Sequence, residues 1–313
     1  MKVLVTGANG FMGRALCPHL SALGHEVVSV VRRPGDVMGA RVLKEDDEAA
    51  WQIALRGCTS VVHLAGRAHV MQDKATDPLQ AFREANVQVT QTLAMRAAQA
   101  GVKRLVFMST IKVNGEQTAP GKCFRPGDIP APVDPYAVSK WEAEQALHEV
   151  ASQTGLEIVI IRPPLVYGPG VKGNFAALVK MIQRGIPLPL GDVHNQRSLV
   201  GLDNLLSLVS LCADPQASAN AANRVWLVSD GAPVSTTVLL KSTAQAFHVR
   251  PHLLPVPMSW LQWAASLLGK AAVAERLLGS LVVDDSLTQA LLHWRPPFTL
   301  EQQLQRMQHV ASA

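Results

Sequence analysis

The segment Lys2-Val3-Leu4-Val5-Thr6-Gly7-Ala8-Asn9-Gly10-Phe11-Met12-Gly13 constrains the fold more than any other stretch of this chain. A short apolar run passes without a linker into three glycines and then into helical spacing, the pattern of a β-strand feeding a helix through a tight turn. Glycine tolerates left-handed backbone and lets another main chain approach closely. The helix that follows offers free N–H groups and the positive end of its dipole, a setting suited to a pyrophosphate. Gly7, Asn9, Gly10, Phe11, Met12 and Gly13 are therefore candidate dinucleotide ligands, with a plain strand-to-helix turn as the alternative.

Further apolar runs predict strands at 26–31, 60–65, 104–109 and 157–162, with helices between them that Gly24, Gly101 and Gly155 stop. That alternation predicts an α/β fold, a Rossmann-type doubly wound parallel sheet with a smaller C-terminal substrate-binding lobe. Pro163, Pro164, Pro169, Pro187 and Pro189 break the pattern after Arg162. A dinucleotide-binding domain is accordingly expected over 1–165 and the substrate-binding lobe over 166–313. The helical spacing of Trp, Leu and Val over 260–282 reads as core packing, with an oligomer or membrane-surface face as the alternative.

Composition excludes several classes. A chain of 313 residues, 48% hydrophobic and 17% charged, is expected to fold rather than stay disordered. The net charge of +5 is scattered and aromatics make up 5%, so no nucleic-acid partner is expected. Cys17, Cys58, Cys123 and Cys212 form no CxxC pair, which predicts a reducing, cytoplasmic setting and no metal. No signal peptide is read at the start. Pro251 to Gly269 lacks Asp, Glu, Lys and Arg but holds three prolines, so stable membrane insertion is not expected.

The spacing GxxGxxG resembles the short-chain dehydrogenase/reductase superfamily, and Tyr136-Ala137-Val138-Ser139-Lys140 supplies that family's YxxxK. Four residues apart on a helix begun by Pro135, phenol and ammonium share a face. An adjacent cation favours the phenolate, so Tyr136 can exchange a proton with a carbonyl or carbinol while a cofactor exchanges hydride. By resemblance Thr110, ending the strand Leu105-Val106-Phe107-Met108-Ser109, hydrogen-bonds the reacting oxygen, and Lys140 holds the nicotinamide ribose. The resemblance also sets Leu64, Ala65 and Gly66 of the His63-Leu64-Ala65-Gly66 segment, Asn86 and Pro163 beside the cofactor; His63 itself is given no chemistry. The second strand ends in Arg32-Arg33 where NAD-preferring relatives carry an acid, so NADP(H) is favoured, with NAD(H) and a solvated basic loop as the alternatives.

The extra C-terminal lobe resembles the extended, UDP-glucose 4-epimerase-like group over nearly the whole chain. That resemblance implies a UDP-sugar partner, with Arg197 and Asn174 as ligands of its diphosphate or sugar and Arg67 and Lys112 bordering the sugar. Within the group, Lys112-Val113-Asn114-Gly115-Glu116, Arg67-Ala68-His69-Val70-Met71 and the tail around Leu277 to Asp284 look most like bacterial reductases of UDP-4-keto-6-deoxy-N-acetylglucosamine in surface-polysaccharide synthesis. NADPH-dependent reduction of a C4 ketone is therefore the expected activity. The alternatives are an NAD-dependent UDP-hexose 4-epimerase and, in another class, a non-catalytic NADP(H)-binding regulator. Relatives commonly pair through a four-helix bundle, which leaves a homodimer open.

Overall fold

The computed structural model describes residues 1–35, 37, 39–68, 77–269 and 271–311. Among them the strands are β1 (Lys2–Thr6), β2 (Glu26–Val31), β3 (Arg41–Val42), β4 (Ser60–His63), β5 (Arg104–Met108), β6 (Glu157–Arg162), β7 (Leu165–Tyr167), β8 (Leu199–Gly201) and β9 (Arg224–Leu227). The helices of the first half are α1 (Phe11–Ala22), α2 (Glu48–Leu55), α3 (Pro78–Arg83), α4 (Val89–Gln99) and α5 (Pro135–Thr154). The second half adds α6 (Gly173–Gln183), α7 (Leu202–Ala213), α8 (Thr236–Ala246), α9 (Met258–Leu267), α10 (Ala271–Leu278), α11 (Ser286–Leu292) and α12 (Leu300–Ala311).

Seven strands make one parallel sheet in the order β3-β2-β1-β4-β5-β6-β9, and β7 pairs with β8 separately. Alternation along the strands divides the core between two faces. Val3, Val5, Val106 and Met108 pack with Leu16 and Leu20 of α1 and Leu205 and Val209 of α7. Leu4, Leu105 and Phe107 pack on the other face with Trp51 of α2, Leu93 of α4 and Leu147 of α5. The chain leaves β1 towards β3 and returns to β4 on its other side. A crevice therefore opens at the carboxyl ends of β1 and β4, the usual ligand position in such sheets.

Residues beyond 165 complete this sheet as well as building a lobe of their own. β9 adds to β6, and α7 is tied beneath the sheet where Ser60 Oγ donates to the Ala213 carbonyl at 2.6 Å and Arg104 Nη1 to that of Cys212 at 3.0 Å. The lobe has separate apolar clusters, one around Tyr167, Phe175 and Leu304 and another around Ile182, Leu188 and Leu240. Segment 260–282 resolves into α9, α10 and their flanks. Core packing accounts for only one side of it: Leu261 and Leu277 face the second cluster, while Trp260 and Trp263 are exposed. Among the described residues no helix is long and apolar enough to cross a membrane.

Candidate active site

The glycine turn is held by close main-chain approach. A Cβ on Gly7, whose φ is +68°, would stand 2.8 Å from the Ala65 nitrogen, and one on Gly13 would stand 2.2 Å from the Gly7 carbonyl oxygen. Side chains at either position would drive apart β1, α1 and the Leu64-Ala65-Gly66 segment, so the two sequence motifs meet in space. Gly10 caps α1 without a side-chain hydrogen bond, and the first turn contains no acid. That uncapped positive end, with Asn9 and Gly10 exposed beside it, fits the diphosphate of a dinucleotide.

Tyr136 and Lys140 stand one turn apart on α5. The Asp134 carboxylate starts the helix by accepting from the Ala137 N–H at 2.7 Å, with Pro135 in the first turn. The buried Lys140 ammonium donates to the Met108 carbonyl at 2.9 Å and lies 4.4 Å from the Phe107 ring centre. A Cβ on Gly66 would come within 3.4 Å of it. Thr110 follows β5 and is itself nearly buried; its hydroxyl accepts from the Lys112 N–H at 3.3 Å. Pro163 closes the same edge, its carbonyl accepting from the Ile111 N–H at 3.0 Å.

Asn86 lies in a π-helical turn, Glu84–Gln88, between α3 and α4. Its amide donates to Ser139 Oγ at 2.9 Å and to the Arg67 carbonyl at 3.1 Å, and its oxygen accepts from the Arg67 N–H at 2.7 Å. Asn86 thus ties the loop after β4 to α5. The Arg67 guanidinium lies 5.3 Å from the Phe82 ring, which is 6.0 Å from the Tyr136 ring. His69, Val70 and Met71 of the stretch that follows Arg67 lie outside the described residues. His63 is buried between Thr6 Oγ1 at 2.6 Å and Thr90 Oγ1 at 2.9 Å, and burial, helped by Lys140, lowers its pKa to about 3. It is a neutral strut.

Burial moves both α5 groups towards their neutral forms. It lowers Lys140 to about 8, opposed by the Glu144 carboxylate. It raises Tyr136 above the usual phenol range, and Asp134 adds to the rise. The neighbouring ammonium does not bring the phenol down, as spacing alone suggested, because the cost of taking a phenolate out of water prevails.

Lys112 is already paired, at 2.5 Å to Asp134 and 2.9 Å to Glu116. Arg197 sits in backbone bridges to Val234 and Leu281, and its Nη1 donates to the Gly279 carbonyl at 3.0 Å. Burial lowers its pKa while Glu116 opposes the change. Gly279 lines a cleft of about 310 Å³ with Gln117, Gln262, Ser266 and Glu275. A run of neighbouring polar groups thus links Tyr136, through Asp134, Lys112 and Glu116, to Arg197. Asn174 is exposed in the first turn of α6, whose N-cap is Lys172, so it is not the capping residue. Arg32 and Arg33 are exposed just past β2.

Sequence reasoning missed the support beneath these groups. Glu144, fully buried, pairs with Arg162 at 2.5 Å and accepts from Ser109 Oγ at 2.5 Å, while Arg162 also donates to Asn114 Oδ1 at 2.9 Å. This network fastens the Thr110 loop to α5. Asp134 directly before Pro135 was a readable capping signal; Glu144 gave none, being one acid among several on its helix.

The NAD dependent epimerase/dehydratase family model matches residues 3–225. The chain is 43% identical over 306 residues to a UDP-glucose 4-epimerase of Vibrio cholerae, covering 96% of this chain and 92% of that one. It is 30% identical to a 2-alkyl-3-oxoalkanoate reductase of Stenotrophomonas maltophilia, over 79% of this chain and 76% of that one. Among solved structures it is similar to MoeE5 in complex with UDP-glucuronic acid and NAD, with 26% identity, a TM-score of 0.75 and coverage of 100% and 99%. The fold is also that of a UDP-N-acetylglucosamine 4-epimerase from Bacillus cereus, with 19% identity, a TM-score of 0.81 and full coverage of both chains. The near full-length match to a 4-epimerase overturns the expected C4-ketone reductase, which rested on short loops and on the arginines after β2. The chain belongs to the NAD dependent epimerase/dehydratase family.

Proposed function

We propose that this chain is a UDP-hexose 4-epimerase working with a bound nicotinamide dinucleotide. The relation to the Vibrio cholerae enzyme over 96% of the chain carries the reading. Tyr136 and Lys140 one turn apart on α5, with the Lys140 ammonium on the Met108 carbonyl two residues before Thr110, support it. Gly7, Asn9, Gly10, Phe11, Met12 and Gly13, with Leu64, Ala65, Gly66, Asn86 and Pro163 beside them, would hold the dinucleotide, which would supply reversible hydride transfer. Tyr136 releases its proton to solvent, which the positive charge of an oxidised nicotinamide would favour; Tyr136 Oη then takes the proton of the sugar C4 hydroxyl and returns it to the same oxygen after the sugar has turned its other face. Thr110 orients that oxygen, and Lys140 holds the cofactor ribose and offsets negative charge on Tyr136. Arg197 and Asn174 hold the diphosphate side of the substrate, with Arg67 and Lys112 near the sugar; binding remote from C4 serves to position it.

An epimerase recovers its cofactor in each turnover, so basic residues after β2 do not require exchange with a reduced pool. NAD(H) serves this reaction, and Arg32 and Arg33 add tolerance for a 2′-phosphate. Replacing both with Ala should weaken NADP binding by roughly tenfold or more and leave NAD binding unchanged, because each charge-assisted hydrogen bond to a phosphate is worth about 1.5–3 kcal/mol. Calorimetric titration decides this; an equal effect on both cofactors removes the arginines from that role. For the reaction itself, purified protein is incubated with UDP-glucose and separately with UDP-galactose, and products are separated by chromatography. Interconversion without net change in reduced nicotinamide is expected. Absence of interconversion with NAD supplied and bound refutes the proposal.

A further inference from the structure

Helix α9 presents an apolar stripe that the proposed reaction does not use. Trp260, Trp263 and Leu267 recur at three and seven residues, on one face, and are 70%, 69% and 67% exposed; Leu268, which ends the helix, is 71% exposed. The opposite side is anchored, with Met258 and Leu261 packed among residues of α6 and α8. Leu254 and Ile186 extend the exposed surface. Their segments are joined where the Leu188 N–H donates to the His252 carbonyl and the Leu254 N–H to that of Leu188, both at 2.8 Å. Scattered exposed apolar residues need no explanation, but two indoles and several aliphatics on one side of a short helix do.

The charge around this surface is mostly of one sign; the exception is Asp192, beside Gly191, whose N–H donates to the Leu254 carbonyl at 2.9 Å, and the Asp192 carboxylate lies 2.7 Å from His194. Lys180 and Arg184 on and just after α6, Lys241 on α8, and Arg250 before α9 are all exposed. The sequence has no Asp or Glu on α6 or anywhere from Gly231 to Gly269. Glu275 of α10, the next acid, lines the cleft with Gln262 and Ser266, which lie on a different stripe of α9 from the tryptophans. A two-fold contact with a second copy would set these cations against themselves. An anionic lipid surface neutralises them while the indoles enter the headgroup boundary, where Trp is favoured. At 10 residues α9 is far too short to span a bilayer and long enough to lie on one.

We propose that α9 docks this protein reversibly on anionic membrane surfaces, with Trp260, Trp263 and Leu267 inserted and the surrounding Lys and Arg side chains against lipid headgroups. The test is sedimentation of the full chain with vesicles of phosphatidylcholine alone or mixed with an equal part of phosphatidylglycerol, together with tryptophan emission. The expected result is salt-sensitive binding to the mixed vesicles with a blue shift, and much weaker binding to phosphatidylcholine. Trp260→Ser/Trp263→Ser should lose roughly tenfold or more in vesicle affinity while melting as the wild type does. Lys180→Gln/Lys241→Gln/Arg250→Gln should lose the preference for phosphatidylglycerol. Failure of the wild type to bind the mixed vesicles overturns the proposal without need of any variant. So does equal binding by the tryptophan variant, or the finding that this variant only converts a dimer to a monomer.

Discussion

Tyr136 and Lys140 lie one helical turn apart, and burial pushes the phenol up and the ammonium down to about 8. At neutral pH the cofactor-free protein thus holds a protonated phenol beside a lysine close to losing its charge. Tyr136→Phe should bind cofactor normally and lose roughly 100-fold or more in turnover, the contribution of a positioned proton-transfer group. Unchanged turnover removes Tyr136 from the reaction. Lys140 also leaves a signature in stability. Its folded pKa is depressed below the unfolded value of 10.5, so stability is lost as pH falls through about 8 and is regained towards 10.5. Against Lys140→Met, which cannot titrate, wild type should gain relative stability as pH rises across that window; a constant difference in denaturant midpoints contradicts it.

α5 brings these residues to the sheet edge, and its own position is fixed one turn further on. Glu144 is fully buried with Arg162 and Ser109, and Arg162 reaches on to Asn114, so removing the carboxylate charge strands a guanidinium in the core. Glu144→Gln should cost about 3–5 kcal/mol in a denaturant titration, the usual result of breaking a buried pair from one side. Glu142→Gln on the same helix removes the partner of Arg83 at a part-exposed pair and should change stability little. Equal effects of the two substitutions would show that the inner network carries no special weight.

Across the molecule, the candidate cofactor residues come from β1, α1, the loop after β4, the π turn before α4, and α5, elements distant in sequence that meet at the strand-order reversal. A dinucleotide held there binds the folded chain and has no site in the unfolded one. NAD at a hundred times its Kd should therefore stabilise the protein by about 2.7 kcal/mol, read as a rise in Tm. Gly13→Val should abolish that rise, because its side chain meets the Gly7 carbonyl and Ala8 backbone. A normal rise in that variant would place the dinucleotide elsewhere.

Local patterns in the sequence determined β1, β2, β4, β5 and β6 of the main sheet, the glycine turn and the shared face of Tyr136 and Lys140. Each depends on neighbours within a few residues, through apolar runs, glycine backbone freedom and helical spacing. β3, with two residues, and β9, whose Arg224-Val225-Trp226-Leu227 run has little context, exist through pairing with β2 and β6. Only the tertiary structure decided that Lys112 is committed to two carboxylates, that Glu144 and Arg162 are buried together, and that burial governs the Tyr136 phenol. The same holds for the indoles of Trp260 and Trp263, which face solvent: helical spacing defines a stripe, but what covers it is set by elements far away in the chain.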